Sequence, residues 1–139
     1  MRRGEVVWVD LDPARSGEAN KRRPAVIVSN DGANRSAERL GRGVITVVPI
    51  TTNTTRIYPF QVLLPATRCR LPADSKAQAE QIRAVSVERI GKRIGQLPAD
   101  VVANLDAAIR LHLGLSAPRL TPPRPEVSAQ TPPWRRAGL

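Results

Sequence analysis

Residues 24–32 read Pro24-Ala25-Val26-Ile27-Val28-Ser29-Asn30-Asp31-Gly32. A short run of small and β-branched apolar residues is closed by proline on one side and by a turn triplet on the other, which predicts one short, buried strand. Similar runs lie on both sides of it. Glu5 to Leu11 passes through Val6, Val7, Trp8 and Val9, and Gly43 to Ile50 is another, with Pro49 placing its end at an edge or bulge. Phe60–Leu64 follows the break at Tyr58-Pro59, Ala77–Ile82 alternates small and polar residues, and Lys92–Leu97 gives a last strand. One helix is expected, from Pro98 to Leu113. Apolar Val101, Val102, Leu105, Ala108, Ile109 and Leu113 recur at three- and four-residue steps, Asp100 stands near its positive end and Gly114 stops it. Short strands separated by turn signals and followed by a single helix predict a mainly β fold, a sandwich or small barrel.

The chain has 139 residues, enough for one domain. The folded part is expected over residues 1–115. Residues 116–139 carry six prolines (118, 122, 123, 125, 132, 133) and four arginines (119, 124, 135, 136) with few apolar residues, so a disordered basic tail is expected there. The formal net charge is +10 with a pI near 11.4. A domain this basic fits a polyanionic partner, because lysines and arginines displace counterions condensed on phosphates; a basic surface kept for solubility is the competing explanation. A single cysteine, Cys69, suits a reducing compartment, and as a neighbour of Arg68 and Arg70 in a loop it reads as a solvent-near or half-buried thiol. The N-terminus lacks the apolar stretch of a signal peptide and no apolar run is long enough to span a bilayer, so a cytoplasmic, membrane-free protein is expected.

The missing motifs narrow the chemistry. The one histidine, His112, falls in the last helical turn, where it reads as a dipole partner or a packed side chain, and it has no second histidine as an acid–base partner. HExxH, CxxC, P-loop and GxGxxG patterns are all absent, which points away from a resident metal, a cofactor or nucleotide-driven work. An enzyme built from this chain would work with arginines, hydroxyls and one carboxylate. That set fits phosphoryl chemistry on RNA, whose 2′-hydroxyl supplies the nucleophile, while guanidinium forks stabilise charge on phosphate oxygens.

Three segments could hold that set. The loop Asp12 to Pro24 presents Glu18 and the basic run Lys21-Arg22-Arg23, and Pro24 gives Arg23 a stiff, extended base. A solvated loop with Glu18 paired to an arginine explains the same residues. The segment Val47 to Arg56 ends an apolar strand in Thr51-Thr52-Asn53-Thr54-Thr55, hydroxyls that either cap turns or donate to phosphate. Glu80-Gln81-Ile82-Arg83 places polar groups at a strand end, for base contact or for a surface salt bridge.

Taken in order, Gly4 to Pro13, Gly17-Glu18, Arg23 to Ser29, Val47 to Thr52, Tyr58 to Val62 and Ala79 to Arg83 resemble the MazF/PemK/Kid family of toxin endoribonucleases, from Arg3 to about Leu115. The resemblance implies an SH3-like barrel of the plasmid-maintenance toxin type with a C-terminal helix. It implies a homodimer that binds single-stranded RNA and a cognate antitoxin that occludes the groove, with translation and growth inhibited by the free toxin. It matches Arg23 and Thr51 to the family's catalytic arginine and threonine, and Glu18 to an acidic loop residue used by some members. Gln81 and Arg83 match groove-lining positions, and Arg22, Thr52 and Arg56 are further candidates for RNA contact. Kid-like branches use an Asp soon after the position of Arg83 and a His in the first loop; here Val85-Ser86-Val87 follows and that loop has no His, so the MazF-like pair is the closer match. The implied reaction is metal-independent cleavage of single-stranded RNA, with messenger RNA as the expected target, to 2′,3′-cyclic phosphate and 5′-hydroxyl ends. Its general base is left open between Arg23, Glu18 and neither. The alternatives are a gyrase poison of the same fold and a non-catalytic RNA-binding barrel.

Overall fold

The computed structural model describes residues 1–11 and 22–116; Glu18, the rest of the first loop and the expected tail from 117 on lie outside them. Seven strands form one antiparallel sheet: β1 (Glu5–Asp10), β2 (Arg22–Ile27), β3 (Val44–Thr51), β4 (Gln61–Leu64), β5 (Ser75–Gln78), β6 (Arg83–Ser86) and β7 (Ile90–Gln96). Helices α1 (Asp31–Leu40), α2 (Ala66–Cys69) and α3 (Ala99–Leu113) complete the fold. Strand order is β4-β5-β3-β2-β1-β7, with β6 also on β3. This is the mainly β fold with a C-terminal helix that the patterning predicts.

Alternate residues of the central strands feed two separate cores. Val6, Val26 and Val48 pack with Val101, Leu105 and Ala108 of α3. Val7, Val9, Ala25, Ile27 and Val47 pack on the other face with Ala37 of α1 and Val85 of β6. Both faces are covered, which is why these strands read as continuous apolar runs instead of alternating ones. Helix α3 runs as expected, with Pro98 at its N-cap position and Gly114 in the left-handed conformation (φ 70°), its N–H bonded to the last carbonyls. His112 is exposed in the last turn.

Several elements differ from expectation. Asn30-Asp31-Gly32 is the start of helix α1: the Asn30 side chain accepts from Ala33 N at 2.8 Å, and Gly41 closes the helix at φ 64°. Only Asn34 and Ala37 of this helix are buried, so it shows no apolar stripe. Asn34 is tied down by polar bonds, accepting from Ser29 Oγ at 2.5 Å and donating to Ser29 O at 2.9 Å. Strand β2 begins at Arg22, so the two arginines belong to the strand and extend it beyond Ala25, where its pairing with β3 stops. The strand expected over 77–82 is divided: β5 ends at Gln78, a 3₁₀ turn spans Ala79–Gln81, and β6 follows. Gln61 Nε2 donates to Glu80 Oε2 at 2.6 Å and holds that turn. Pro49 lies inside β3, between the ladder to β6 (through Val47) and the ladder to β5 (from Ile50), where neither strand calls for its missing N–H.

Cys69 is fully buried at the end of α2, not solvent-near. Burial pushes its thiol pKa up, and the neighbouring Arg68 only partly opposes this. The Arg68 guanidinium is turned to Asp100, donating two bonds of 2.7 and 2.9 Å that hold the carboxyl below its ordinary range. Native protein should therefore resist alkylation at Cys69 by a maleimide at pH 8 and become labelled on unfolding in urea; rapid native labelling would contradict the packing. Gly95 is buried where a Cβ would lie 2.6 Å from the Cys69 carbonyl oxygen and 2.9 Å from Leu71 Cδ2. Gly95→Ala should lower the free energy of unfolding by about 1–3 kcal/mol, since backbone has to shift to admit the methyl group; denaturant melts measure it.

Candidate active site

The register of β2 against β3 builds the site. Ala25 faces Pro49, Val26 faces Val48 and Ile27 faces Val47. The ladder stops at Ala25 and Pro49, and beyond it the two strands carry Arg23 and Thr51, two positions far apart in sequence, to the same place. Both line one groove of about 480 Å³. Its polar residues include Arg22, Arg23, Thr51 and Thr52, and its apolar surface comes from Trp8, Pro24, Ile50, Leu71 and Ile94. On β1, Trp8 faces Pro24, and Arg22 stands one position beyond Arg23 opposite Asp10. A Cβ on Gly91 would lie 3.2 Å from Arg22 Nη2 and 3.3 Å from Trp8 Cβ, so the missing side chain makes room for both.

Arg22 and Arg23 are exposed, and among the described residues no carboxylate pairs with either. Thr51 is half-buried, and its Oγ1 accepts from the Asn53 backbone N–H at 3.3 Å. Asn53 in turn accepts from Thr55 N at 3.3 Å. The turn-capping use of these residues is thus real, and it leaves the Thr51 hydroxyl proton free to donate elsewhere. Ser75 also lines the groove, but its hydroxyl donates to Ala73 O at 3.0 Å. The arrangement offers two guanidiniums and a hydroxyl donor around an apolar surface. This suits an anionic phosphate flanked by flat bases.

The other expected residues are placed as follows. Arg56 is exposed and joins the site through Lys76, the strand partner of Thr51, whose Nζ donates to Arg56 O at 2.6 Å. Gln81 is exposed at the end of the 3₁₀ turn. Arg83 faces Val47 on β6, four residues along β3 from Thr51, on the order of 13 Å away. It borders a separate shallow depression with Arg89. The fold therefore gathers Arg22, Arg23, Thr51 and Thr52, brings Arg56 alongside, and sets Gln81 and Arg83 apart. Trp8 and Gly91 escaped the reading of the sequence; the one signal was a bulky aromatic set among small β-branched residues in β1. Among the described residues, no three His, Cys, Asp or Glu side chains cluster as a metal site would require.

Residues 2–113 match the family model described as the PemK-like, MazF-like toxin of type II toxin-antitoxin systems. The chain belongs to this family. Endoribonuclease MazF9 of Mycobacterium tuberculosis is 62% identical over 115 residues, covering 83% of this chain and 98% of that protein. Among solved structures, the MazE-MazF complex (form III) of Deinococcus radiodurans superposes with a TM-score of 0.65 at 26% identity, covering 84% of this chain and 98% of the other. A mycobacterial endoribonuclease solved with its cognate antitoxin has the same fold, with a TM-score of 0.66 at 24% identity over 85% of this chain and 99% of that one. The MazF-like family reading of the ordered motifs is thereby established, and with it the toxin class. In this MazF-like chain Arg23 and Thr51 should each tolerate a change of side chain without loss of fold, since Arg23 is exposed, Thr51 is only half-buried and both stand at strand ends. Arg23→Ala and Thr51→Ala are each expected to shift stability by less than about 1 kcal/mol; a larger loss in a urea melt would mark them as structural.

Proposed function

We propose that this toxin is an endoribonuclease that cuts single-stranded RNA at the groove between the ends of β2 and β3. The observation that carries this reading is the meeting of Arg23 and Thr51 in the lining of one groove, in a chain of net charge +10. The 2′-hydroxyl attacks the adjacent phosphorus and the 5′-oxygen leaves, giving a 2′,3′-cyclic phosphate and a 5′-hydroxyl end. Arg23 stabilises the charge that builds on the phosphorane oxygens, and Thr51 Oγ1–H donates to one of them. Arginine is a poor base at neutral pH, so its electrostatic role outweighs proton transfer; Glu18, in the first loop, is the carboxylate available as base. Arg22 and Thr52 hold the flanking backbone, and Gln81 and Arg83 serve a more distant part of the strand. The reaction needs no metal or other cofactor.

The toxin acts in the cytoplasm on messenger RNA, halts translation and growth, and is held in check by a cognate antitoxin. MazE bound to the Deinococcus relative supports that partner. The active form is a homodimer with RNA crossing its face. Leu63 and Leu111, 45% and 58% exposed, flank a depression between β4 and α3 that a second copy would cover.

The decisive test is RNA cleavage in EDTA by wild type, Arg23→Ala and Thr51→Ala. Wild type should cleave and each variant should lose about a hundredfold or more in rate. Wild-type inactivity in EDTA, or full activity of Arg23→Ala, would overturn the mechanism. Gyrase inhibition without cleavage, or salt-dependent RNA binding with intact RNA, would replace it by a gyrase poison or a non-catalytic barrel.

A further inference from the structure

Helix α1 stands at the other end of β3 from the groove. It leads into β3 at Val44, seven residues before Thr51, or about 23 Å along the strand. Its buried side is formed by Asn34 and Ala37. At 3.6 residues per turn, Gly32, Arg35, Ser36 and Arg39 fall on the side turned away from those two. All four are exposed, and they line a shallow depression of about 420 Å³. None of them lines the groove that holds Arg23 and Thr51. Gly32 and Ser36 are small, so the two arginines stand over an open helix face.

A solvated helix surface commonly mixes its signs, because acid and base three or four residues apart pair with each other. Such pairs are available here, since Asp31 stands four residues before Arg35 and Glu38 three after it. The fold uses both acids elsewhere. Asp31 Oδ1 accepts from the Arg3 backbone N–H at 2.7 Å, and Glu38 Oε2 meets the Met1 ammonium at 2.8 Å. Among the described residues neither Arg35 nor Arg39 has a carboxylate partner, and Ser36 Oγ makes no hydrogen bond. Like charges at this spacing oppose the helix. Arg39 at least suits the dipole of the last turn, whereas Arg35 lies in mid-helix and gains nothing from it. An anion between the two removes the repulsion and meets two guanidinium forks and a hydroxyl. Their separation along the axis, about 6 Å, is close to the step between neighbouring phosphates of an RNA strand. We infer that the outer face of α1 is a second RNA-binding surface, which holds the sugar-phosphate backbone of the substrate beyond the cleavage sequence. This rests on the endoribonuclease reading and adds to it a preference for RNA with long flanks. Phosphate contacts carry no base information, so the surface contributes affinity and leaves the choice of cleavage sequence to the groove.

The test uses full-length protein and two RNAs, one holding only the mapped cleavage sequence and one extending it by roughly fifteen nucleotides on each side, more than the span from groove to helix. For binding, both carry a 2′-deoxy sugar at the scissile nucleotide to remove the nucleophile. Wild type is compared with the double variants Arg35→Gln/Arg39→Gln and Arg35→Lys/Arg39→Lys, whose new residues are good helix formers. On the flanked RNA, the glutamine variant should lose about 0.7 of salt slope for each of two phosphate contacts. Raising salt from about 50 to 200 mM should then weaken its binding about sevenfold less than that of wild type. The lysine variant should keep most of the wild-type slope. On the short RNA, all three proteins should bind and cleave alike. An unchanged slope in the glutamine variant on the flanked RNA, or an equal change on the short one, would overturn the surface while wild-type cleavage left the endoribonuclease reading standing. Poly-glutamate bound by wild type and not by the glutamine variant, with RNA binding unchanged, would assign the face to an acidic protein and also overturn the inference. Wild type that neither binds nor cleaves either RNA would overturn both readings.

Discussion

Strand β3 is the constraint on which the rest of the structure hangs. It is flanked by β2 along one edge and by β6 and then β5 along the other, and its side chains reach both cores. A one-residue slip would exchange Val47 and Val48 between those cores, so its register is fixed by packing on both faces. The candidate groove lies at the end of that fixed register. Thr51 is its last residue, Arg23 on β2 lines the same groove, and Lys76 is Thr51's partner on β5. The change of neighbour along the outer edge also explains how a proline is accepted in the middle of a buried strand.

The electrostatics follow from where the sheet runs out. Beyond Ala25, β2 has β1 on one side only, and the two arginines stand in water. Solvent hydrates them, so leaving them unpaired costs the fold little, whereas an anion entering the groove finds donors already in place. The acidic residues are used elsewhere: Asp100 holds Arg68 and Asp106 takes Arg3 at 2.5 Å. Charge that binds the helix to the body is thus kept apart from charge left available for a polyanion.

Much of the fold was legible from sequence because apolar runs and punctuation act locally. The strands of Val6–Val9, Ala25–Ile27 and Val44–Ile50 and the stripe of α3 could be read directly. What escaped depends on less visible forces. Helix α1 is fixed by Asn30, Gly41 and a buried Asn34, none of which makes an apolar stripe. The run from Ala77 to Ile82 has the alternation of a strand, yet the chain must pass from one end of β3 to the other, and the Gln61–Glu80 bond bends it into a turn. Cys69, between two arginines, read as half-exposed until the packing of Gly95 and Leu71 against α2 showed it buried. The ordered resemblance singled out Arg23 and Thr51, which the fold brings to one groove; the neighbourhood of Trp8 and Gly91 was not legible.

By itself, the sequence determined the composition of the chemistry: arginines and hydroxyls, one histidine and one cysteine, and a charge that favours polyanions. It also determined the secondary elements that rest on local periodicity, and membership of a toxin family. Tertiary structure alone decided which of many arginines meet at the groove. Arg22 and Arg23 line the groove because β2 extends past its partner, Arg56 is held beside it by a lysine from another strand, and Arg83 is displaced by the bend before β6. The reason is physical: charge and propensity belong to residues, whereas proximity comes from a register fixed by two buried cores.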